Sequence, residues 1–216
     1  MQKVYWENPY QQTLLTKISS IEANQVLFEE TIVFSFSGGQ ESDKATVNVQ
    51  PILDSRIQDL LIYYTLPDGH NLKTGQEVTL EIDWPRRYKL MRLHFAAELI
   101  LEIVTQKFKF EKIGAHIAET KARIDFMYDK NISTLFEVIL TEYNDIIKAD
   151  KPIQTGFTDV ATQKRFWKID GFAKVPCGGT HVQSTAEVGF VTLKRCNIGG
   201  SKERIEIRLV DESVGK

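Results

Sequence analysis

The sequence lacks the features of secreted, membrane-spanning and disulfide-rich proteins. It contains only two cysteines, Cys177 and Cys196, among 216 residues, too few for a disulfide framework, and this favours a reducing, cytoplasmic setting. No apolar run approaches the length that a membrane-spanning helix needs. Residues 1–7 have no apolar core of the kind that a signal peptide carries. We therefore expect a cytoplasmic protein with no membrane partner.

A large excess of charge of either sign is also missing. The formal net charge is −2 at pH 7, which argues against a protein that coats nucleic acid non-specifically but leaves room for a local basic surface. Hydrophobic residues make up 42% of the chain, an ordinary share for a globular protein. The length allows one large or two small domains.

The first part of the chain has the pattern of short β-strands separated by turns. Residues 31–36 are β-branched and aromatic, and the glycine-rich stretch 37–40 follows them. Residues 44–49 and 77–83 alternate apolar with polar side chains, as half-buried strands do. Several short strands at this spacing predict a small barrel or sandwich. We assign residues 1–86 to a β-barrel domain.

A helical pattern replaces the strand pattern near Pro85, a residue that suits the first turn of a helix. Apolar residues then recur at spacings of three and four to about Phe110, which predicts a long helix with one apolar face. The residues of that face are Leu90, Leu93, Ala97, Leu101, Val104 and Phe108.

The rest of the chain combines one further helix with strands. The helix is predicted to begin near Thr134, where Thr134-x-x-Glu137 has the form of a capping box, and to end before Pro152. Residues 87–216 should therefore form an α+β domain whose antiparallel sheet packs on helices. The predicted strands are 122–128, 154–160, 166–172, 188–193 and 204–210.

Two stretches carry residues that could bind a metal ion. Cys177 and His181 lie four residues apart with two glycines between them, and glycine permits backbone conformations that let both side chains point at one centre. His94 and Glu98 lie one turn apart on one face of the predicted long helix. Thiolate and imidazole are ligands that Zn²⁺ prefers. Each pair alone also has a simpler interpretation, as a small buried thiol or as a surface ion pair.

Further stretches match a known family in the same order along the chain. Residues 36–43 contain a Gly-Gly-Gln segment, 82–94 lead into the helix, 114–126 contain a strand, and Cys177-Gly178-Gly179-Thr180-His181 forms the loop. With these motifs the chain resembles the alanyl-tRNA editing proteins of the AlaX type, free-standing relatives of the editing domain of alanyl-tRNA synthetase. The resemblance covers nearly the whole chain. It departs from the family at Glu98, where the family carries a second histidine.

The resemblance implies a zinc-dependent hydrolase that removes serine or glycine wrongly attached to alanine tRNA. It also implies a small β-barrel followed by an α+β editing domain, and an aminoacyl-tRNA acceptor end as partner. The implied metal ligands are His94, Glu98, Cys177 and His181. The implied catalytic residues are Glu98, Gln40 and Thr180. The implied substrate-binding residues are Gly38, Gly39, Gln40 and His116.

Several alternatives remain open at this point. Glu98 can be a fourth zinc ligand that closes the site, a general base beside it, or the mark of a lost site. In the last case the protein would be a non-catalytic tRNA-binding module, and an editing enzyme for another aminoacyl-tRNA is a third possibility. Gln40 can equally belong to a turn, His116 can be satisfied by a neighbouring residue, and Thr180 can cap its loop.

Contacts to RNA are expected from basic residues, with aromatic rings available for base stacking. Phe166 and Trp167 beside Lys164 and Arg165 are candidates for stacking. The candidate phosphate contacts are Arg86, Arg87, Lys89, Arg92, Lys107, Lys109, Lys112, Lys194, Arg195, Lys202 and Arg204.

Overall fold

The computed structural model describes residues 1–210. This part of the chain has an α+β fold, which confirms the predicted fold class. The strands that precede the first α-helix are β1 (Gln2–Lys3), β2 (Thr13–Glu22), β3 (Gln25–Phe28), β4 (Glu30–Thr31), β5 (Ala45–Val47), β6 (Gln50–Pro51), β7 (Asp54–Gln58), β8 (Leu61–Thr65) and β9 (Glu77–Ile82). The elements that follow are α1 (Trp84–Phe108), β10 (Glu111–Ile117), β11 (Ala122–Met127), α2 (Phe136–Lys148), β12 (Gln154–Asp159), β13 (Lys164–Ile169), β14 (Ala173–Pro176), α3 (Thr185–Val188), β15 (Val191–Gly199) and β16 (Lys202–Leu209).

The early strands form a curled antiparallel sheet in the order β6-β5-β9-β2-β3-β8-β7. The long strand β2 pairs with β9 through its first half and with β3 through its second half. In β9, the buried residues Val78, Leu80 and Ile82 alternate with exposed ones, so one face of the strand points into the core. The predicted barrel is therefore an open half-barrel, with β6 and β7 at its edges.

The prediction of a strand at 31–36 is mostly wrong, because β4 ends at Thr31 and the residues that follow do not pair in a sheet. Side chains satisfy the backbone groups that follow. The backbone N–H of Phe34 donates to Asp43 Oδ2 at 2.7 Å, and Tyr64 Oη donates to the carbonyl of Val33 at 2.7 Å. The β-branched pattern thus reflects burial in the half-barrel core rather than membership of its sheet.

Helix α1 begins and ends close to where the sequence predicts. Asp83 caps its start by accepting a hydrogen bond from the backbone N–H of Arg86 at 3.1 Å, and Pro85 occupies the first turn. Lys109 ends it in a left-handed conformation, with its N–H donating to the carbonyl of Thr105 at 3.1 Å.

The predicted apolar face of α1 is only part of its buried surface. Residues off that face, such as Met91, Phe95 and Leu99, are also fully buried. The helix is enclosed because it contacts α2, α3 and the sheet made of β10, β11, β16 and β15. A helix that is buried on most sides can hold polar groups away from water, and His94 is one such group on α1.

The start of α2 corrects another prediction. Thr134-x-x-Glu137 does not form a capping box, because residues Ile132–Leu135 form a 3₁₀ turn and α2 begins at Phe136. The Thr134 hydroxyl donates to the carbonyl of Asn131 at 2.8 Å instead. The strand predicted at 188–193 begins later, at Val191, because α3 includes Val188. No helix within residues 1–210 is long and apolar enough to cross a membrane.

Two hydrophobic cores lie on either side of the start of α1. The first contains buried residues between Tyr5 and Ile82, the second contains those between Leu90 and Ile207, and Trp84 packs against both. These cores support the proposed division into domains 1–86 and 87–216. Positions 211–216 of the second lie outside the described residues.

Arg87 ties the first turn of α1 to the half-barrel. Its side chain is fully buried and forms an ion pair with Asp43, which is equally buried. The guanidinium also donates to the carbonyls of Ile32 at 2.6 Å and Pro9 at 3.1 Å. The neighbouring Arg86 is committed to acidic partners on the half-barrel side and on the β10–β11 turn, at 2.7 Å each. The expectation that Arg86 and Arg87 contact RNA phosphates is therefore wrong.

Candidate metal centre

The structure brings three of the predicted ligands together between α1 and the loop after β14. His94 lies on α1, whereas Cys177 and His181 belong to the loop, and one ligand atom of each lies within 4.8 Å of the others. Cys177 Sγ is 3.4 Å from His94 Nε2 and 3.3 Å from His181 Nε2. Tetrahedral Zn²⁺ with ordinary Zn–S and Zn–N bond lengths separates such ligands by about 3.5 Å. The three side chains therefore fit a metal ion of this kind.

Contacts from distant parts of the chain hold the ligand loop. The backbone N–H of Cys177 donates to the carbonyl of Arg165 at 3.0 Å, extending the β13–β14 pairing by one residue. The indole N–H of Trp6 donates to the carbonyl of Gly178 at 2.8 Å. Gly179 lies directly against the ring of His94, since a Cβ atom there would overlap ring atoms of that histidine. The second glycine of the loop thus permits the close approach of loop and helix.

Gln40 connects the two halves of the cluster. Its Oε1 accepts from His94 Nδ1 at 2.6 Å and from the backbone N–H of Thr180 at 3.3 Å, and its Nε2 donates to Thr180 Oγ1 at 2.9 Å. A backbone N–H can only donate, so the oxygen of the Gln40 amide must face it. The same oxygen requires a proton on His94 Nδ1, which leaves Nε2 free to bind a metal.

This network gives the Gly-Gly-Gln segment a supporting position. Gln40 and Thr180 are 0% and 1% exposed. This burial favours a role in orienting the metal ligand His94 rather than a direct contact with substrate. Gly39 has a φ of +90°, and a Cβ there would lie 2.8 Å from the carbonyl oxygen of Ala115 on β10. Its carbonyl accepts from the N–H of Ile117 at 2.8 Å. The edge of β10 therefore holds the segment that aims Gln40 at His94.

Replacement of Gln40 tests this arrangement. We expect Gln40→Met to weaken Zn²⁺ binding by about 10- to 100-fold, the usual cost of losing the partner of a metal-binding histidine. Gln40→Glu keeps the oxygen that accepts from His94 Nδ1, so it should retain most of the affinity. Competition with a chromophoric chelator measures both variants. Equal affinities in wild type and Gln40→Met would show that His94 needs no such partner.

Glu98 lies at the edge of the cluster. Its Oε2 accepts from the indole N–H of Trp167 at 2.8 Å, and its Oε1 is 3.7 Å from His94 Nε2. Within residues 1–210, the group of mutually close ligand atoms does not include Glu98. Trp167 is fully buried, so the expectation that it stacks on an RNA base is wrong, and it orients Glu98 instead.

Charges within the cluster shift the pKa values of its members. Burial alone would raise the pKa of the Cys177 thiol, but the imidazoles of His94 and His181 lower it to about 6. Burial likewise opposes ionisation of His94, yet the Cys177 thiolate and Glu98 raise its pKa to about 10. Burial would raise the pKa of Glu98, and contacts with His94 and Trp167 lower it to about 2. The site thus collects negative charge that a bound cation can neutralise in place of protons.

The remaining predicted site residues lie on the β10 side. His116 Nε2 is 3.2 Å from Glu41 Oε1, and its ring centroid is 6.3 Å from that of the exposed Phe36. Gly38 is exposed in the turn before Gly39. Sequence reasoning missed Trp6, and it assigned no orienting role to Trp167. Both act through contacts more than sixty residues away in the chain, and no local pattern signals such contacts.

Known proteins match this chain over most of its length. Residues 165–206, which contain the ligand loop, match the model of the threonyl and alanyl tRNA synthetase second additional domain. An alanyl-tRNA editing protein AlaX-M from Pyrococcus horikoshii is 30% identical over 212 residues, which cover 96% of this chain and 97% of that protein. An AlaX-M protein from Methanosarcina barkeri is 28% identical over 86% of this chain and 89% of its own length.

An alanine–tRNA ligase from Methanococcus maripaludis is 26% identical over 94% of this chain, but the match covers only 25% of the ligase. The chain therefore corresponds to about a quarter of such a ligase, and its relatives support a role in tRNA editing in general. The chain belongs to the family of alanyl-tRNA editing proteins of the AlaX-M type. The resemblance stated from the sequence motifs is confirmed.

Proposed function

We propose that the protein is a zinc-dependent deacylase that hydrolyses mischarged aminoacyl-tRNA and removes serine or glycine from alanine tRNA. The observation that carries this proposal is the cluster of His94, Cys177 and His181, whose spacing suits Zn²⁺. Membership of the AlaX-M family supports tRNA editing in general. The thiol and imidazole groups of the cluster are the reason for proposing that this editing activity depends on zinc.

Hydrolysis joins the oxygen of water to the ester carbonyl carbon and breaks the bond to the ribose oxygen, giving a free amino acid and a ribose hydroxyl. Zn²⁺ supplies a Lewis acid for such a reaction when it is bound. The position of Glu98 favours the general-base role: Trp167 holds Oε2, so Oε1 is left to accept the proton of water. The same carboxyl can return that proton to the ribose oxygen. His94 would bind the metal through Nε2, because Gln40 keeps the proton on Nδ1.

Metal content and hydrolysis of serine-charged alanine tRNA test the proposal together. We expect about one zinc per chain, as three protein ligands hold a single ion, and hydrolysis that stops after chelation and returns with Zn²⁺. Cys177→Ala/His181→Ala should lose both metal and activity. Glu98→Gln should keep the metal and lose most of the rate if Glu98 is the base, whereas loss of metal as well would identify a ligand. Full activity in the metal-free double variant would refute the zinc-dependent mechanism.

A second candidate function follows from Glu98, which stands where the family carries a histidine. If this change abolishes catalysis, the protein is a non-catalytic module that binds the tRNA acceptor end. Tight binding of alanine tRNA with no turnover of any mischarged tRNA would support that function. Recovery of hydrolysis in Glu98→His would show that the single substitution decides between the two.

A further inference from the structure

Within residues 1–210, Arg165 is a buried cation that forms no ion pair with a carboxylate. The residue lies on β13 and is 7% exposed. Across residues 1–210, no carboxylate oxygen lies within the 4.0 Å ion-pair distance of its guanidinium. Burial lowers its pKa, which reflects the cost of desolvating the charge. Buried arginines are normally paired with an anion, whereas within residues 1–210 Glu7 favours the charge of Arg165 without forming an ion pair with it.

The surroundings of Arg165 hold the guanidinium in place but leave most of its donors unused. Nη2 donates to the carbonyl of Trp6 at 3.1 Å, and the described chain offers its other N–H groups no further hydrogen bond. The guanidinium carbon lies 5.3 Å from the ring centroid of Trp6 and 4.6 Å from that of Phe157. Cation–π contacts of this kind fix a guanidinium without neutralising it. The unused donors are therefore positioned for an external acceptor.

A cavity of about 130 Å³ lies beside Arg165 and the ligand loop. His181 and Gly179 of the ligand loop line the same cavity, so the arginine shares this space with one of the three candidate ligands. Glu7 also lies on its wall, but this residue is exposed and accepts a hydrogen bond from Gln2 at 3.1 Å. Trp6 is half-buried and Phe157 is exposed, at 38%. The cavity thus combines a fixed cation, one candidate metal ligand and the half-buried ring of Trp6.

We propose that Arg165 binds the phosphodiester of the terminal nucleotide of the aminoacylated RNA while the cluster engages the ester. This inference rests on the proposed deacylase function. In an aminoacylated nucleotide, the ester and the 5′-phosphate belong to one ribose, so a phosphate-binding group is expected near the site that engages the ester. A guanidinium is the side chain best matched to phosphate oxygens. The exposed ring of Phe157 offers a surface for the terminal base.

Two small substrates separate phosphate binding from hydrolysis. One is the seryl ester of adenosine, which has no phosphate, and the other is the seryl ester of 5′-AMP. We expect wild type to have the lower KM for the 5′-AMP ester. Arg165→Gln should raise that KM by roughly 10- to 100-fold, the worth of a hydrogen bond to a charged group, and should remove the preference between the two esters. Arg165→Lys keeps the positive charge but lacks the paired N–H donors of a guanidinium, so it should restore part of the preference for the 5′-AMP ester.

Lys164→Gln is the matched control, because it removes one positive charge from an exposed position of the same strand. Circular dichroism verifies that each variant is folded. An unchanged KM ratio in folded Arg165→Gln would overturn the proposal. So would a loss of inhibition by free serine with the phosphate preference intact, because the ligand would then be the carboxylate of the released amino acid.

Failure of the deacylase function has a different signature. In that case wild type hydrolyses neither ester, and calorimetry of 5′-AMP against adenosine reads the anion site directly. Tighter binding of 5′-AMP in wild type but not in Arg165→Gln would support the site on its own. Equal binding of 5′-AMP and adenosine to wild type would overturn the proposed phosphate site.

Discussion

Gly179→Ala is expected to lower deacylation and zinc affinity by about 100-fold or more, whereas Gly178→Ala should leave both close to wild type. A Cβ at position 179 would overlap the His94 ring and lie 2.9 Å from Gln40 Oε1. Loop and helix would have to separate, and displacement of a reacting group by about 1 Å commonly costs about 100-fold in rate. At position 178 nothing lies within 4 Å of a Cβ.

The two glycines are adjacent in one loop, so each variant is the control for the other. Zinc affinity by chelator competition and hydrolysis of serine-charged alanine tRNA give independent readouts. A loss in Gly179→Ala alone would show that contact between the loop and His94 matters. Equal losses in both variants would instead indicate that the loop needs the backbone freedom of glycine at each position.

Arg87→Leu is expected to destabilise the fold by about 3–5 kcal/mol, because it leaves the buried carboxylate of Asp43 uncompensated. The arginine also satisfies the carbonyls of Ile32 and Pro9, which lose their donor. Urea denaturation of the metal-free protein measures the change. The effect should be large because both side chains of the ion pair are 0% exposed.

An exposed ion pair provides the comparison. Lys168 Nζ lies 2.6 Å from Asp170 Oδ1, and the two side chains are 42% and 68% exposed. Lys168→Ala should change the free energy of unfolding by less than about 1 kcal/mol, as exposed pairs usually do. Arg87→Leu/Asp43→Leu should recover part of the loss, because no charge is then left buried. A loss below about 1 kcal/mol in Arg87→Leu would contradict the proposed link between α1 and the half-barrel.

Local pattern was sufficient for much of the architecture. The alternation in β9, the proline at the start of α1, and the loop from Cys177 to His181 depend on neighbouring residues, which sequence reasoning can compare directly. It failed where backbone groups found distant partners. Residues 32–36 look like a strand, but they pair with side chains such as Asp43 and Tyr64. The predicted cap at Thr134 failed because this residue lies within a 3₁₀ turn that Asn131 caps, and α2 begins only at Phe136.

The candidate site divides in the same way. The sequence could identify His94, Cys177 and His181 as candidate ligands. Cys177 and His181 lie in one short loop, and His94 lies on a helix that the sequence predicts. The tertiary structure alone decided that Gln40 sets the tautomer of His94, that Trp167 orients Glu98, and that Arg165 lines a cavity together with His181. Side-chain orientation and burial depend on contacts between residues far apart in the chain, and no spacing along the sequence encodes them.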